Sequence, residues 1–158
     1  MPRLRSKPST DPHVATLIGW REYVRMPALL PGAIIAKIDT GARSAALHAE
    51  DIRIAGYGPH RTVKFTVPVN ARNYHCELPL AGERRVKSSF GHSEMRVVVA
   101  TTVAIGEHRF RAEITLTNRT DMGVPMLLGR TVIRGRFIVH PGRSFLISKR
   151  TLRKTKLK

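Results

Sequence analysis

Hydrophobic and polar residues alternate with a period of two along most of the chain. Val63, Phe65, Val67 and Val69 share one parity, while Thr62, Lys64, Thr66 and Pro68 occupy the other. Tyr74, Cys76, Leu78 and Leu80 repeat the pattern, as do Met95, Val97, Val99, Thr101, Val103 and Ile105. After a turn at Gly106 it resumes at Phe110, Ala112, Ile114 and Leu116. Successive side chains of a strand point to opposite faces, so these segments, separated by Gly or Pro, predict antiparallel strands with one buried face. No segment of similar length has a 3.6-residue period. The fold class is therefore all-β, a closed barrel or a compact sandwich.

The flanking segments extend this reading. Residues from Val14 to Trp20 are β-prone and begin the sheet, and P-A-L-L-P-G from Pro27 to Gly32 breaks any helix and leads into an apolar strand, Ala33 to Ile38. Leu47, Ala49, Ile52 and Ile54 suggest another strand that ends at Gly56 to Pro59. Leu127 and Leu128 form a short apolar strand, Arg130 to Gly135 a single helical turn, and Arg136 to His140 and Ser144 to Ser148 two last strands.

The strand Ala33 to Ile38 runs into Asp39, Thr40 and Gly41, which puts one carboxylate on a tight turn at a strand end. Glycine there allows backbone angles that other residues adopt only at a cost, and turn tips are common places for chemistry. Asp-Thr-Gly alone is a weak signal, because Asp and Gly are ordinary turn formers. Its context is more specific: I-D-T-G-A follows an apolar strand, and P-M-L-L-G-R, Pro125 to Arg130, supplies a second apolar strand running into Gly-Arg.

This pairing resembles the retropepsin-like aspartic peptidases. G-W-R-E at Gly19 to Glu22, A-K-I-D-T-G-A-R-S-A-A-L-H-A at Ala36 to Ala49, V-K-S-S-F-G at Val86 to Gly91 and M-L-L-G-R at Met126 to Arg130 are similar to one bacterial branch, labelled "ATP-dependent zinc protease". The similarity spans residues 17 to 147. It implies a single-lobe, retropepsin-like closed barrel with one short helix, and it implies an endopeptidase. It also implies an association with glutamate ligases that add poly-glutamate tails to a ribosomal protein.

The chemistry implied is that of two carboxylates sharing a proton, one activating water and the other polarising the scissile carbonyl. A single Asp-Thr-Gly in 158 residues calls for a homodimer in which each subunit supplies its Asp39. Thr40 would brace the loop and Gly41 would let the backbone approach substrate. Unlike viral retropepsins, this chain has Lys37 on the same strand face as Asp39, and Arg43 two residues after the glycine. Such cations suit a substrate rich in carboxylates, with Arg preferred for bidentate contact. Candidate substrate-binding residues are Arg43 and Arg130 first, then Lys37, Lys87, Arg96 and Arg119, with a solvated strand face or a salt bridge to Glu94 or Glu113 as the structural alternative for any one of them. His48, inside the Asp-loop motif, is a candidate hydrogen-bond partner or proton carrier near Asp39.

Neither half of the branch label finds support in the residues, and no cofactor or metal is expected. No Gly-rich loop ends in Gly-Lys-Ser/Thr, and the seven histidines are scattered singly. His75 and Cys76 are adjacent on a strand and point to opposite faces, so they do not chelate. The one cysteine, Cys76, excludes an internal disulfide and reads as a small core residue.

Charge changes the picture further. Lys and Arg number 28 against 11 Asp and Glu, a net +17. The first and last ten residues hold nine of these bases and no acid, which leaves +8 on residues 11 to 148. Such a surface attracts polyanions: an acidic peptide, RNA or the ribosome. Residues 1–13 and 149–158 read as basic tails around one domain, residues 14–148. No apolar run approaches the ~20 residues of a membrane span and the N-terminus lacks a secretory apolar stretch, so the expected location is cytoplasmic. Two rivals stand beside the peptidase: an inactive module that holds RNA or ribosome through its basic surface, and a metal hydrolase using Asp39 and His48. The aromatic content of 6% gives little platform for a single-strand binder.

Overall fold

The computed structural model describes residues 14–87, 90–120 and 123–150. The tails at 1–13 and 151–158, Ser88 and Ser89 of V-K-S-S, and the turn expected at Asp121 lie outside the described residues. Among the described residues eleven strands run in the order β1 (Thr16–Gly19), β2 (Arg21–Val24), β3 (Ile34–Ile38), β4 (Ala45–His48), β5 (Glu50–Ala55), β6 (Thr62–Val69), β7 (Arg72–Lys87), β8 (Ser93–Ile105), β9 (His108–Thr117), β10 (Met126–Leu128) and β11 (Phe137–His140). One α-helical turn, α1 (Arg130–Ile133), separates β10 from β11, and a 3-10 turn occupies Gly58–His60. No helix among the described residues is long and apolar enough to cross a membrane.

The all-β class and the short helix agree with the sequence reading, but the sheet does not close into a barrel. Nine strands form one sheet in the order β2-β3-β10-β4-β9-β8-β7-β6-β5, and β1 pairs with β11 in a separate parallel ribbon. The β2 end curls back only as far as a single bridge, in which Arg25 and Ala104 exchange backbone hydrogen bonds of 2.9 and 2.8 Å. The β5 end stays an edge, so closure is local.

The alternation predicts the core well. Val63, Phe65, Val67, Val99, Val103, Ile105, Ile114 and Leu116 are buried in one cluster with Leu47, Met126 and Leu128. Burying side chains of this size contributes about 1.5–3 kcal/mol each. Cys76 is buried, its thiol directed at the Leu29 carbonyl. Met95 departs from its parity and is 56% exposed. The β7–β8 hairpin extends past the core after a bulge between Leu80 and Gly82, so the inward parity there has nothing to pack on.

Two strand assignments change. The segment Val14 to Trp20 is only the first part of a bent pair, β1 then β2. Ser144 to Ser148, patterned like a strand, is not one: Phe145 sits at φ 55°, which breaks an extended run. The segment's backbone donors go instead to the carboxylate of Glu22. That side chain is wholly buried and accepts from Gly19 N (2.9 Å), Leu146 N (2.9 Å), Ile147 N (3.1 Å), Ser148 N (3.1 Å) and Ser148 Oγ (2.8 Å). Tyr23 stacks on Phe145 at 4.4 Å between ring centroids and donates its N–H to Ser148 Oγ at 2.7 Å. The C-terminal segment is thus fastened to β2, and β2 pairs with the strand that carries Asp39 through Arg21↔Lys37 and Glu22↔Ala36.

Candidate active site

β3 and β10 are parallel neighbours in register, Ala36 with Met126, Lys37 with Leu127 and Ile38 with Leu128. β10 also pairs antiparallel with β4, so the later strand lies between the strands on either side of the Asp39 loop. The loop itself is held from both ends. Asp39 N donates to Leu128 O (2.9 Å), Arg130 N to Ala42 O (2.9 Å) and Thr131 N to Arg43 O (2.9 Å). These pairings satisfy backbone groups that a half-buried turn would otherwise leave unmet.

Two glycines make the arrangement possible. A Cβ built on Gly129 would come within 2.4 Å of Ser44 O, 2.7 Å of Ser44 N and 2.8 Å of Ala42 O, so this residue is glycine because the Asp loop lies against it. Gly41 does not make use of the backbone angles that favour glycine, for its φ lies outside the left-handed region. Its constraint is space, since a Cβ there would sit 3.2 Å from Asp39 Oδ1. The Gly41 N–H donates to that same oxygen at 3.0 Å, which fixes the carboxylate's direction. Thr40 is exposed, and its carbonyl accepts from Arg130 Nη1 at 3.1 Å. Its bracing contact is therefore made by its backbone.

The expected binding residues separate into groups. Lys37 is exposed on β3, and Arg43 and Arg130 are exposed beside the Asp loop. Lys87 is exposed at the end of β7, opposite Ser93 in the distal hairpin. His48, Arg96 and Arg119 belong to another network. His48 Nδ1 accepts from Arg119 N at 3.0 Å and its Nε2 lies 3.5 Å from Glu50 Oε1. Arg96 is buried to 8% exposure and donates to Glu94, which also accepts from Thr117 Oγ1 at 3.2 Å. The salt bridge to Glu94, the structural alternative, is thus what Arg96 makes. Hydrogen bonding from Arg96 holds the Glu94 carboxyl below its usual range. Partial burial opposes this, and the charge of Arg96, the Thr117 hydroxyl and the charge of Arg119 add to it.

Sequence reasoning gave no role to Glu22, although it ends the G-W-R-E motif, or to Arg84, Arg111 and Arg136, which the fold brings beside Arg43 in one cleft. Arg111 looks like an ordinary solvated strand position, Arg84 shares the parity of Leu78 and Leu80 but lies past the bulge, and Arg136 falls in a turn, so no local signal groups them. Among the described residues, no three His, Cys, Asp or Glu side chains are gathered as a metal ion would need.

An Asp-Thr-Gly loop backed by a parallel apolar strand and a Gly-Arg turn, once per chain, is the loop arrangement of the retropepsin-like class. The family model described as "RimB-like: Retropepsin-like aspartic endopeptidase RimB" matches residues 17–150, and the chain belongs to this family. Relatives include proteins named "Probable alpha-L-glutamate ligase" from Shewanella pealeana, 38% identical over 138 residues, and from Desulfotalea psychrophila, 34% identical over 129 residues. The matches cover 85% and 79% of this chain but only 30% and 28% of those relatives, so the chain spans under a third of their length. The fold is similar to the crystal structure of a protein of unknown function from Legionella pneumophila, with a TM-score of 0.70 and 28% identity over 85% of this chain and all of that one.

Proposed function

We propose that the chain is an aspartic endopeptidase acting as a homodimer on an acidic peptide, with poly-glutamate tails of a ribosomal protein as the intended substrate. The observation that carries this reading is the single Asp39 carboxylate, oriented by Gly41 N–H, on a loop that also carries exposed Arg43 and is held by exposed Arg130 through the Thr40 carbonyl, with exposed Lys37 on the strand before it. A twofold axis would bring two such loops together. One carboxylate then takes a proton from water as it attacks, and the other donates a proton to the carbonyl oxygen. Collapse of the tetrahedral intermediate passes a proton to the leaving amine. No nucleotide or metal enters these steps. Thr40 and Gly41 shape the loop, and Lys87, exposed at the end of β7, is a further candidate for substrate contact. The relatives' names concern glutamate ligation, and a hydrolase for the corresponding linkage is its natural counterpart.

The test is incubation of the protein and its Asp39→Asn variant with a poly-glutamate peptide, with and without chelator, followed by mass spectrometry. Cleavage by the parent alone, indifferent to chelator, is expected. Cleavage retained by Asp39→Asn overturns the aspartic mechanism, and loss with chelator points to the metal hydrolase. The net charge of +17 favours a second reading, a polyanion-binding module. Tight RNA or ribosome binding with no cleavage of any acidic peptide would select it.

A further inference from the structure

Beside the Asp loop lies a cleft of about 270 Å³ whose polar lining is Arg43, Arg84, Arg111, Glu113, Thr131 and Arg136. The four arginines come from four places in the chain: the loop after Asp39, β7, β9 and the turn before β11. Tertiary structure, not local sequence, brings them together. One carboxylate faces them, and it is already engaged by Arg84 at 2.7 Å. Arg136 lies over the Phe110 ring, 4.4 Å from its centroid, and donates to Val132 O at 3.1 Å. The Arg111 guanidinium makes a long 3.5 Å contact with Ala100 O, and the Arg43 guanidinium, unlike that residue's carbonyl, has no hydrogen-bond or ionic partner among the described residues.

Like charges gathered this way repel one another, and a bound anion relieves the repulsion. Guanidinium groups fit carboxylates bidentately, and Arg136, already stacked and tethered, loses little freedom on binding. The cleft adjoins the candidate catalytic loop, because the Arg43 carbonyl accepts the Thr131 N–H and Arg43 is four residues beyond Asp39. We infer that this cleft is a subsite for side-chain carboxylates of the substrate, with Arg111 and Arg43 as its docking groups and Arg84 and Arg136 as its fixed walls. The inference rests on the acidic-peptide reading and gives it a location. In an extended peptide alternate side chains recur about 6.6–6.8 Å apart on one face, so every second glutamate is presented to the cleft. Selectivity then follows position along the peptide more than its total charge.

The test is binding in the Asp39→Asn background, where the peptide stays intact, of a fluorescent oligo-glutamate read by anisotropy near physiological salt. Arg111→Ala and Arg43→Ala are compared with Arg72→Ala, an exposed residue at the other end of β7 that removes the same charge. Thermal melts verify that each variant folds. Each cleft substitution is expected to weaken binding by about tenfold or more, and Arg72→Ala by less than about twofold. Arg111→Lys restores only part of the loss, since it returns the charge without the fork. Cleft variants that match Arg72→Ala overturn the subsite, as does absence of binding with the cleft intact. A cleft that loses inorganic phosphate but not peptide on substitution is a small-anion site, which also overturns it. The two readings fail separately. Binding that depends on the cleft without cleavage by the parent leaves the subsite and removes the peptidase; cleavage with cleft-independent binding does the reverse.

Discussion

Replacing Glu22 by glutamine keeps the side chain's shape and removes an acceptor at a buried carboxylate that receives five hydrogen bonds. Oε2 accepts two backbone N–H groups, from Gly19 and Leu146, and Oε1 accepts two more, from Ile147 and Ser148, together with the Ser148 hydroxyl. Whichever way the amide is turned, its NH2 group faces two backbone donors that then have no acceptor. An unsatisfied buried donor costs about 1–3 kcal/mol, so two cost about 2–6. Removing a buried negative charge returns part of this, because the carboxylate carries its own desolvation penalty. The expected net loss is about 2–4 kcal/mol, a large share of a domain stability of about 5–15 kcal/mol. In a chain of this size it lowers Tm by roughly 5–15 °C. Urea denaturation followed by circular dichroism measures it directly. Ser148→Ala loses one hydroxyl that bridges Glu22 and Tyr23 N, and it is expected to cost less than Glu22→Gln. If Glu22→Gln unfolds within about 0.5 kcal/mol of the parent, the carboxylate does not hold the C-terminal segment and the reasoning fails.

Two further substitutions probe the loop and the side network. Gly129→Ala places a methyl against the Ser44 and Ala42 backbone, where nothing flexible can yield. Its cost is about 1–3 kcal/mol or more, with a displaced Asp39 loop, read as loss of both stability and cleavage; an unchanged melt would deny the close contact. The Glu94 carboxyl lies below its usual range when folded, so its contribution is complete above the unfolded value of about 4.3 and is lost as pH falls through the lower folded value. Arg96→Met removes the principal cause and flattens that part of the acid limb in urea midpoints measured from neutral to acid pH. An acid limb identical to the parent's would count against the assignment.

The Asp loop and its supports were legible because their signals are local. An apolar strand entering a turn, and a second apolar pair entering Gly-Arg, are read within a few residues, and the helical turn at Arg130 follows directly. Pairing is not local. Nothing in β10's three residues says that it lies parallel to β3 and between β3 and β4. Nor does alternation reveal where a sheet stops closing, which is why an expected barrel is an open sheet with one bridge. The segment 144–148 has strand-like residues, yet its amides find a distant carboxylate and Phe145 turns left-handed. Glu22 looks like a solvent-facing acid until those amides are seen around it. His48, Arg96 and Arg119 carried polar chemistry near the right motif, but His48 and Arg96 engage Glu50 and Glu94, each two residues away along the chain, and only the placing of Arg119 beside His48 is the work of the fold. The arginines of the cleft lay hidden because a loop, two strands and a turn far apart in the chain supply them.

The central claim is that two copies of Asp39, one from each subunit, make one site. It is tested most directly by unfolding and refolding the protein together with Asp39→Asn in equal amounts at fixed total concentration, then measuring cleavage of a poly-glutamate peptide. If the site needs both carboxylates, mixed dimers are inactive and the mixture retains about one quarter of the activity of the all-parent sample. Retention of about one half would mean that each chain works with its own Asp39, and would contradict the account.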